Sequence, residues 1–236
     1  ARHFVQRKRA DVEKWMDEKT PFPKREAVEW PYDLSREYAV FFDDILAFAR
    51  RLVVPNGASK RIKRVQYWTA LSLLRGVMSS PATGVTMLST RLDKLERATD
   101  DGNAGPGDDG EVDAGNPVRD QDFGFDGDNA PTQLVERGDW TDHQRRQLRQ
   151  FADRLENLGD IQHDQKLFAA AIVLEDWIER GFKPVVFCRF IPTAKYVGKH
   201  LEPALRKRFP KLDLRVVTSE DPDDLRRQRI AEMAGD

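Results

Sequence analysis

The chain has 236 residues, of which 39% are hydrophobic, enough to bury a core in one large domain or in two small ones. A third of the residues are charged, but 39 basic against 40 acidic side chains leave a formal net charge of −1, which excludes a uniformly polybasic or polyacidic chain. No apolar run approaches the roughly 20 residues that cross a bilayer, which excludes an integral helical membrane protein.

The chain opens Ala1-Arg2-His3-Phe4, with neither an initiator Met nor an apolar leader, and reads as starting partway through a longer protein. Asp11, Val12, Trp15 and Met16 belong to a first predicted helix that Thr20-Pro21-Phe22-Pro23 must end. Ala27, Val28 and Trp30 form a brief strand-like run, after which Ser35 is placed to cap the start of a helix. Tyr38, Phe41, Phe42, Ile45, Phe48 and Leu52 then recur at helical spacing and predict a core face. A second helix is expected from Arg64 to Met78, stopped by Ser79-Ser80-Pro81, and a weaker third from Val85 to Leu95.

The near-neutral total conceals an uneven distribution. Residues 1–98 carry 19 basic and 12 acidic side chains, residues 99–139 carry 2 and 12, and the remainder carries 18 and 16. From Thr99 to about Ala130 the acidic island is rich in Gly, Asp, Asn and Pro and has no hydrophobic period, so a disordered insertion is expected there.

Beyond it, Thr141 and Gln144 have the spacing of a capping box, and Leu148, Phe151, Leu155 and Leu158 continue an apolar face up to Gly159. Another helix is expected from His163 to Arg180, with Gly181 as its stop. The continuous apolar run Pro184-Val185-Val186-Phe187-Cys188 then predicts a parallel strand covered on both faces. A helix from Thr193 to Phe209, a strand Leu214–Thr218 and a helix opened by Asp221-Pro222 complete a βαβα order, which calls for a right-handed crossover. Two parallel strands are too few to stand alone, so the chain is expected to stop early in that domain.

Three stretches together resemble a known family. Val5-Gln6-Arg7-Lys8-Arg9-Ala10-Asp11-Val12 is similar to a Leu-Arg-Arg-x-Lys-x-x-Val segment, with Gln6 in place of the first Arg. Leu71-Ser72-Leu73-Leu74-Arg75, running to Ser79-Ser80-Pro81, is similar to a Leu-x-x-Leu-Arg helix that ends in His-Pro, with Ser80 in place of the His. Gly181-Phe182-Lys183-Pro184-Val185-Val186-Phe187-Cys188-Arg189-Phe190, led by Asp164-Gln165-Lys166-Leu167, is similar to Gly-x-Lys-x-x-Ile-Phe-x-x-Phe. These patterns, in this order, resemble the Swi/Snf group of superfamily-two helicase-like DNA translocases, and they cover nearly the whole chain apart from the acidic island.

The resemblance implies an α/β fold class: a helical protrusion followed by the first βαβα of an incomplete RecA-like parallel-sheet lobe. It divides the chain into an inter-lobe helical region at 1–98, the acidic insertion at 99–139 and the start of the helicase C-terminal lobe at 140–236. It further implies that the parent protein is an ATP-dependent DNA helicase or translocase. ATP and Mg²⁺ would be its cofactors, and double-stranded DNA and the rest of the helicase polypeptide the partners of this piece. The chain itself contains no G-x-x-x-x-G-K-[ST], so no catalytic residue is assigned and the piece alone is expected not to turn over ATP.

Within that frame Lys166, Arg189 and Lys195 are the candidate nucleic-acid contacts, each against the plainer alternative of a solvated surface charge. Arg7 and Arg9 are candidate hinge residues between lobes, against surface pairing with Asp11 or Glu13. Asp164 beside His163 is expected to cap a helix, and four scattered histidines assign no metal site. Cys188, the single cysteine, is expected to be a buried small hydrophobe and fits a reducing cytoplasm. The alternative function is a stand-alone protein-interaction module on a Rossmann-like scaffold. A dinucleotide enzyme is disfavoured because Phe187 to Pro192 lacks the glycines of the phosphate-binding turn.

Overall fold

The computed structural model describes residues 26–53, 60–89 and 141–234, the side chains of 60–62, 64 and 65 excepted. Arg7, Arg9, the first expected helix and the acidic insertion at 99–139 lie outside the described residues. The chain divides into two units, Ala1–Pro31 and Tyr32–Asp236. In the first, residues 26–31 are exposed and have no regular secondary structure, so the strand expected at Ala27–Trp30 is not formed. Three apolar side chains with no covering layer do not hold a strand by themselves.

Seven helices occur among the described residues of the second unit: α1 (Arg36–Leu52), α2 (Lys60–Ser79), α3 (81–89), α4 (Asp142–Asn157), α5 (Gln165–Glu179), α6 (Ile191–Arg206) and α7 (Asp223–Ala234). Helix α1 starts where Ser35 accepts the backbone N–H of Tyr38 at 3.3 Å. Helix α4 starts at a complete capping box, in which Thr141 Oγ1 accepts from Gln144 N and Gln144 Oε1 accepts from Thr141 N. Helix α5 ends at Gly181, whose φ of 84° suits only a residue without Cβ, and the N–H of Phe182 returns to the carbonyl of Trp177 at 2.9 Å.

Two apolar clusters organise the unit. The first joins α1, α2, α3 and α4 through Tyr38, Phe41, Ile45, Phe48, Leu73, Val77, Leu88, Leu148, Phe151 and Leu155. Its centre is aromatic: Phe151 meets Phe41 edge to face at 5.9 Å and Phe48 at 5.5 Å, and Tyr38 meets Phe41 at 6.0 Å. The Tyr38 hydroxyl donates to the Val77 carbonyl at 2.9 Å, satisfying both polar groups inside this core. The second cluster joins α5 and α6 through Leu167, Ala171, Leu174, Tyr196, Leu201 and Leu205, with Ala82 of α3 against it. Helix α4 therefore shares the core of α1 to α3, although the acidic island separates it from them in sequence.

No strand or sheet occurs among the described residues, which overturns the α/β fold class. The helical protrusion followed by the first βαβα of an incomplete RecA-like parallel-sheet lobe is replaced, among the described residues, by an all-helical arrangement with two connections of no regular secondary structure, 182–188 and 212–218. The apolar run at Pro184–Cys188 forms no regular secondary structure and is not covered on both faces: Phe187 is 92% exposed and Val185 71%. Hydrophobic periodicity reports how a segment's backbone runs; it does not supply the neighbouring strand that a ladder needs.

Helix α3 begins at Pro81, four residues before the expected start. Ser80 accepts the N–H of Thr83 at 3.2 Å and Pro81 occupies the first helical position, where its missing N–H costs nothing. Ser79-Ser80-Pro81 thus ends one helix and opens the next. No helix among the described residues is long and apolar enough to cross a membrane.

Candidate functional site: a hydroxyl junction and an uncapped helix end

The start of α6 sits on the turn between α2 and α3 through four hydroxyl groups. Thr193 Oγ1 lies 2.8 Å from Ser79 Oγ, 2.9 Å from Ser80 Oγ and 2.7 Å from Thr83 Oγ1. A hydroxyl has one proton to donate and two lone pairs, so three neighbours use its full capacity. Ser80, Thr83 and Thr193 are all buried. Thr193→Val keeps the shape but leaves these partners short of a bond, and is expected to cost about 1–3 kcal/mol in a urea melt, with Thr193→Ser retaining most of the stability. An unchanged midpoint for the valine variant would show that water replaces the junction.

Lys166, in the first turn of α5, reaches the same turn from the other side. Its Nζ donates to the Met78 carbonyl at 2.6 Å and also to the Ser79 carbonyl. These are carbonyls at the end of α2 that lack helical donors, and a cation there also meets the negative end of the helix dipole. Burial pulls Lys166 below the ordinary lysine range, against the opposing charge of Asp164.

Asp164 is buried and caps α5, accepting the N–H of Lys166 and of Leu167 at 3.1 Å each, as expected for its position. Its other oxygen accepts the Tyr196 hydroxyl at 3.2 Å, which fastens α6 to the start of α5. Burial and then the Asp164 charge push the Tyr196 phenol well above its usual range. Next to it, His163 Nδ1 lies 2.8 Å from Asp160 Oδ1. Burial acts to raise Asp160, but the bonds from His163 and Gln162 outweigh it and hold the carboxyl below the ordinary range. Among the described residues no group of His, Cys, Asp and Glu could hold a metal ion.

At the start of α6 is a cleft of about 440 Å³, lined by Cys188, Phe190 and Ile191 together with Thr218, Ser219, Asp223, Arg226 and Arg227. Helix α6 has no side-chain cap at Phe190 and carries Pro in its first turn. Ile191, the first residue of the helix, therefore lines the cleft at a helix end without a capping side chain, a natural place for an anion. Arg226 pairs with Asp223 across one turn of α7, while Arg227 is exposed and forms no ion pair with a described residue. Burial pushes the Cys188 thiol up and Lys166 only partly opposes this, so the half-buried thiol is no activated nucleophile.

The three basic residues singled out from the sequence have different neighbours. Lys166 faces the end of α2, Arg189 lies over the Phe190 ring at 5.9 Å, and Lys195 pairs with Glu220. The sequence reading missed Thr193, Arg226 and Arg227. The Ser-Ser-Pro turn was a legible signal for the hydroxyl junction, whereas the arginines became distinctive only as part of a cleft that α6 and α7 both line. Compared with known proteins, the chain matches no family model, no curated protein and no solved structure.

Proposed function

We propose that the chain is part of a cytoplasmic ATP-dependent DNA helicase or translocase of the Swi/Snf type. Its own share of the work is to hold the phosphate backbone of double-stranded DNA, while ATP and Mg²⁺ act elsewhere in the parent protein. The observation that carries this reading is the uncapped start of α6 at a cleft lined by Thr218, Ser219, Arg226 and Arg227. Helix-end N–H groups, hydroxyls and guanidinium groups are what a phosphate backbone recruits, and they contact it without reading sequence. Arg189 and Lys195 flank the same helix start in sequence, with Lys195 held by Glu220. Lys166 serves the site by tying α5 to the turn on which α6 rests.

The test is fluorescence anisotropy of a labelled duplex against the full chain, titrated at several salt concentrations. Arg227→Ala is expected to weaken binding by roughly threefold to tenfold on unrelated sequences alike, and to lower the salt slope by about 1. Being exposed and free of ion pairs with described residues, Arg227 can be removed without disturbing the fold. Unchanged affinity and slope would overturn the assignment of the cleft.

A further inference from the structure

We propose that the end of the second unit where α1 stops and α4 starts is a further phosphate-binding surface, on which Arg51, His143 and Arg146 hold the backbone of a nucleic acid. The choice of nucleic acid among phosphate-bearing ligands rests on the function proposed above, but the surface uses none of the residues that line the cleft at α6. The first observation is a second cleft. It encloses about 520 Å³ and is lined by Phe48, Arg51 and Leu52 of α1 and by His143, Gln144 and Gln147 of α4. No carboxylate of a described residue lines it. Arg146 follows His143 by three residues on α4 and adjoins Gln147, and Arg50 adjoins Arg51. A cleft with one sign of charge and an apolar wall concentrates the field that draws an anion.

The second observation is that these side chains are uncompensated. Arg50, Arg51, His143 and Arg146 are all exposed, and their side chains form no hydrogen bond or ion pair with a described residue. Carboxylates on the same two helices are engaged with other partners. Asp142, four residues before Arg146, pairs with Arg145, and Asp44 pairs with Arg154.

The third is position. Arg50 and Arg51 close α1, where the helix dipole favours a cation, so folding alone accounts for them. Folding does not account for α4. His143 lies in its first turn and Arg146 directly after that turn, at the end where the dipole favours anions, and only Asp142 follows that preference. Basic side chains set against the field of their own helix, with no partner in the fold, serve a ligand instead of the helix. Guanidinium, imidazole and amide N–H groups are donors that hold phosphate oxygens without reading bases.

Anisotropy of a labelled duplex, titrated with the full chain at several salt concentrations, separates this surface from the cleft at α6. Arg51→Ala/Arg146→Ala is expected to weaken binding roughly fivefold to twentyfold and to lower the salt slope by about 2. Lys207→Ala/Lys211→Ala removes the same charge elsewhere, from two exposed lysines at and beyond the end of α6, and should leave the affinity within about twofold. Arg146→Gln removes the charge but keeps a good helix former, and should leave the urea midpoint unchanged or raise it. Equal losses in the two double variants, no loss in Arg51→Ala/Arg146→Ala, or a lowered midpoint for Arg146→Gln would overturn the proposal. If Arg227→Ala weakens binding and Arg51→Ala/Arg146→Ala does not, only this surface falls. A parent chain that binds no duplex would overturn this surface and the proposed function together.

Discussion

Replacing Phe41 with alanine is expected to destabilise the protein by about 3–5 kcal/mol, a loss readable as a shift in the urea midpoint followed by circular dichroism. Phe41 is fully buried where α1 meets α4. Its ring packs edge to face against Phe151 at 5.9 Å and Tyr38 at 6.0 Å, and the Arg154 guanidinium lies 5.3 Å from its centre. Truncation therefore removes the transfer energy of the ring and both aromatic contacts, and leaves a cavity walled by helices that cannot collapse freely. Arg154 also bonds Asp44 at 2.7 Å, but both side chains are substantially exposed, so that pair contributes little beside the ring. Phe42, the next residue, only packs against the margin of the cluster, and its alanine variant is expected to cost less than half as much. A Phe41→Ala midpoint within error of the parent would mean that α1 and α4 do not share a core.

The second large effect is expected at Asp164. Asp164→Ala removes the cap of α5, worth about 0.5–2 kcal/mol, and leaves the buried Tyr196 hydroxyl without its acceptor, worth about 1–3 kcal/mol more. Lys166 also loses the nearest charge that favours its protonated form. Asp164→Asn keeps an oxygen for the cap and is expected to recover at least a third of the loss. The same variant has a spectroscopic readout. Burial first and the Asp164 carboxylate second hold the Tyr196 phenol well above its usual range, so removing the carboxylate should make this phenol ionise at lower pH. In the parent protein the folded state binds that proton more tightly than the unfolded chain does, and stability should fall as pH climbs through the ordinary tyrosine range. An ultraviolet pH titration identical in parent and variant would disconnect Asp164 from Tyr196.

Helix ends were legible because their chemistry is local. Ser35, Thr141 with Gln144, and Asp164 each bond backbone N–H groups two or three residues ahead, and Gly181 takes the one conformation its neighbours avoid. The core face of α1 was equally legible, since Tyr38, Phe41, Ile45 and Phe48 repeat at the period of the helix they form. The candidate site was legible only in part. Lys166, Arg189 and Lys195 were recognisable as cations near helix starts, but the carbonyls that Lys166 faces lie 87 and 88 positions away and the carboxylate that Lys195 faces lies 25 away. Arg226 and Arg227 carry no local mark that separates them from the other arginines of α7.

Pairing failed for the same reason that capping succeeded. An apolar run such as Val185–Cys188 favours an extended backbone, because its side chains are β-branched and aromatic, but a strand exists only when a second segment supplies donors and acceptors alongside. By itself, then, the sequence determined the caps at Ser35, Thr141, Asp164 and Gly181 and the apolar face of α1, but not the starts of α2 and α3. Only the tertiary structure decided that α4 joins the core of α1 to α3 across the acidic island, that Thr193 of α6 meets three hydroxyls at the α2–α3 turn, and that residues 183–188 stay without a ladder. Short-range hydrogen bonds and side-chain periodicity are encoded within a few residues, whereas long-range contacts depend on which surfaces the whole chain can bury together.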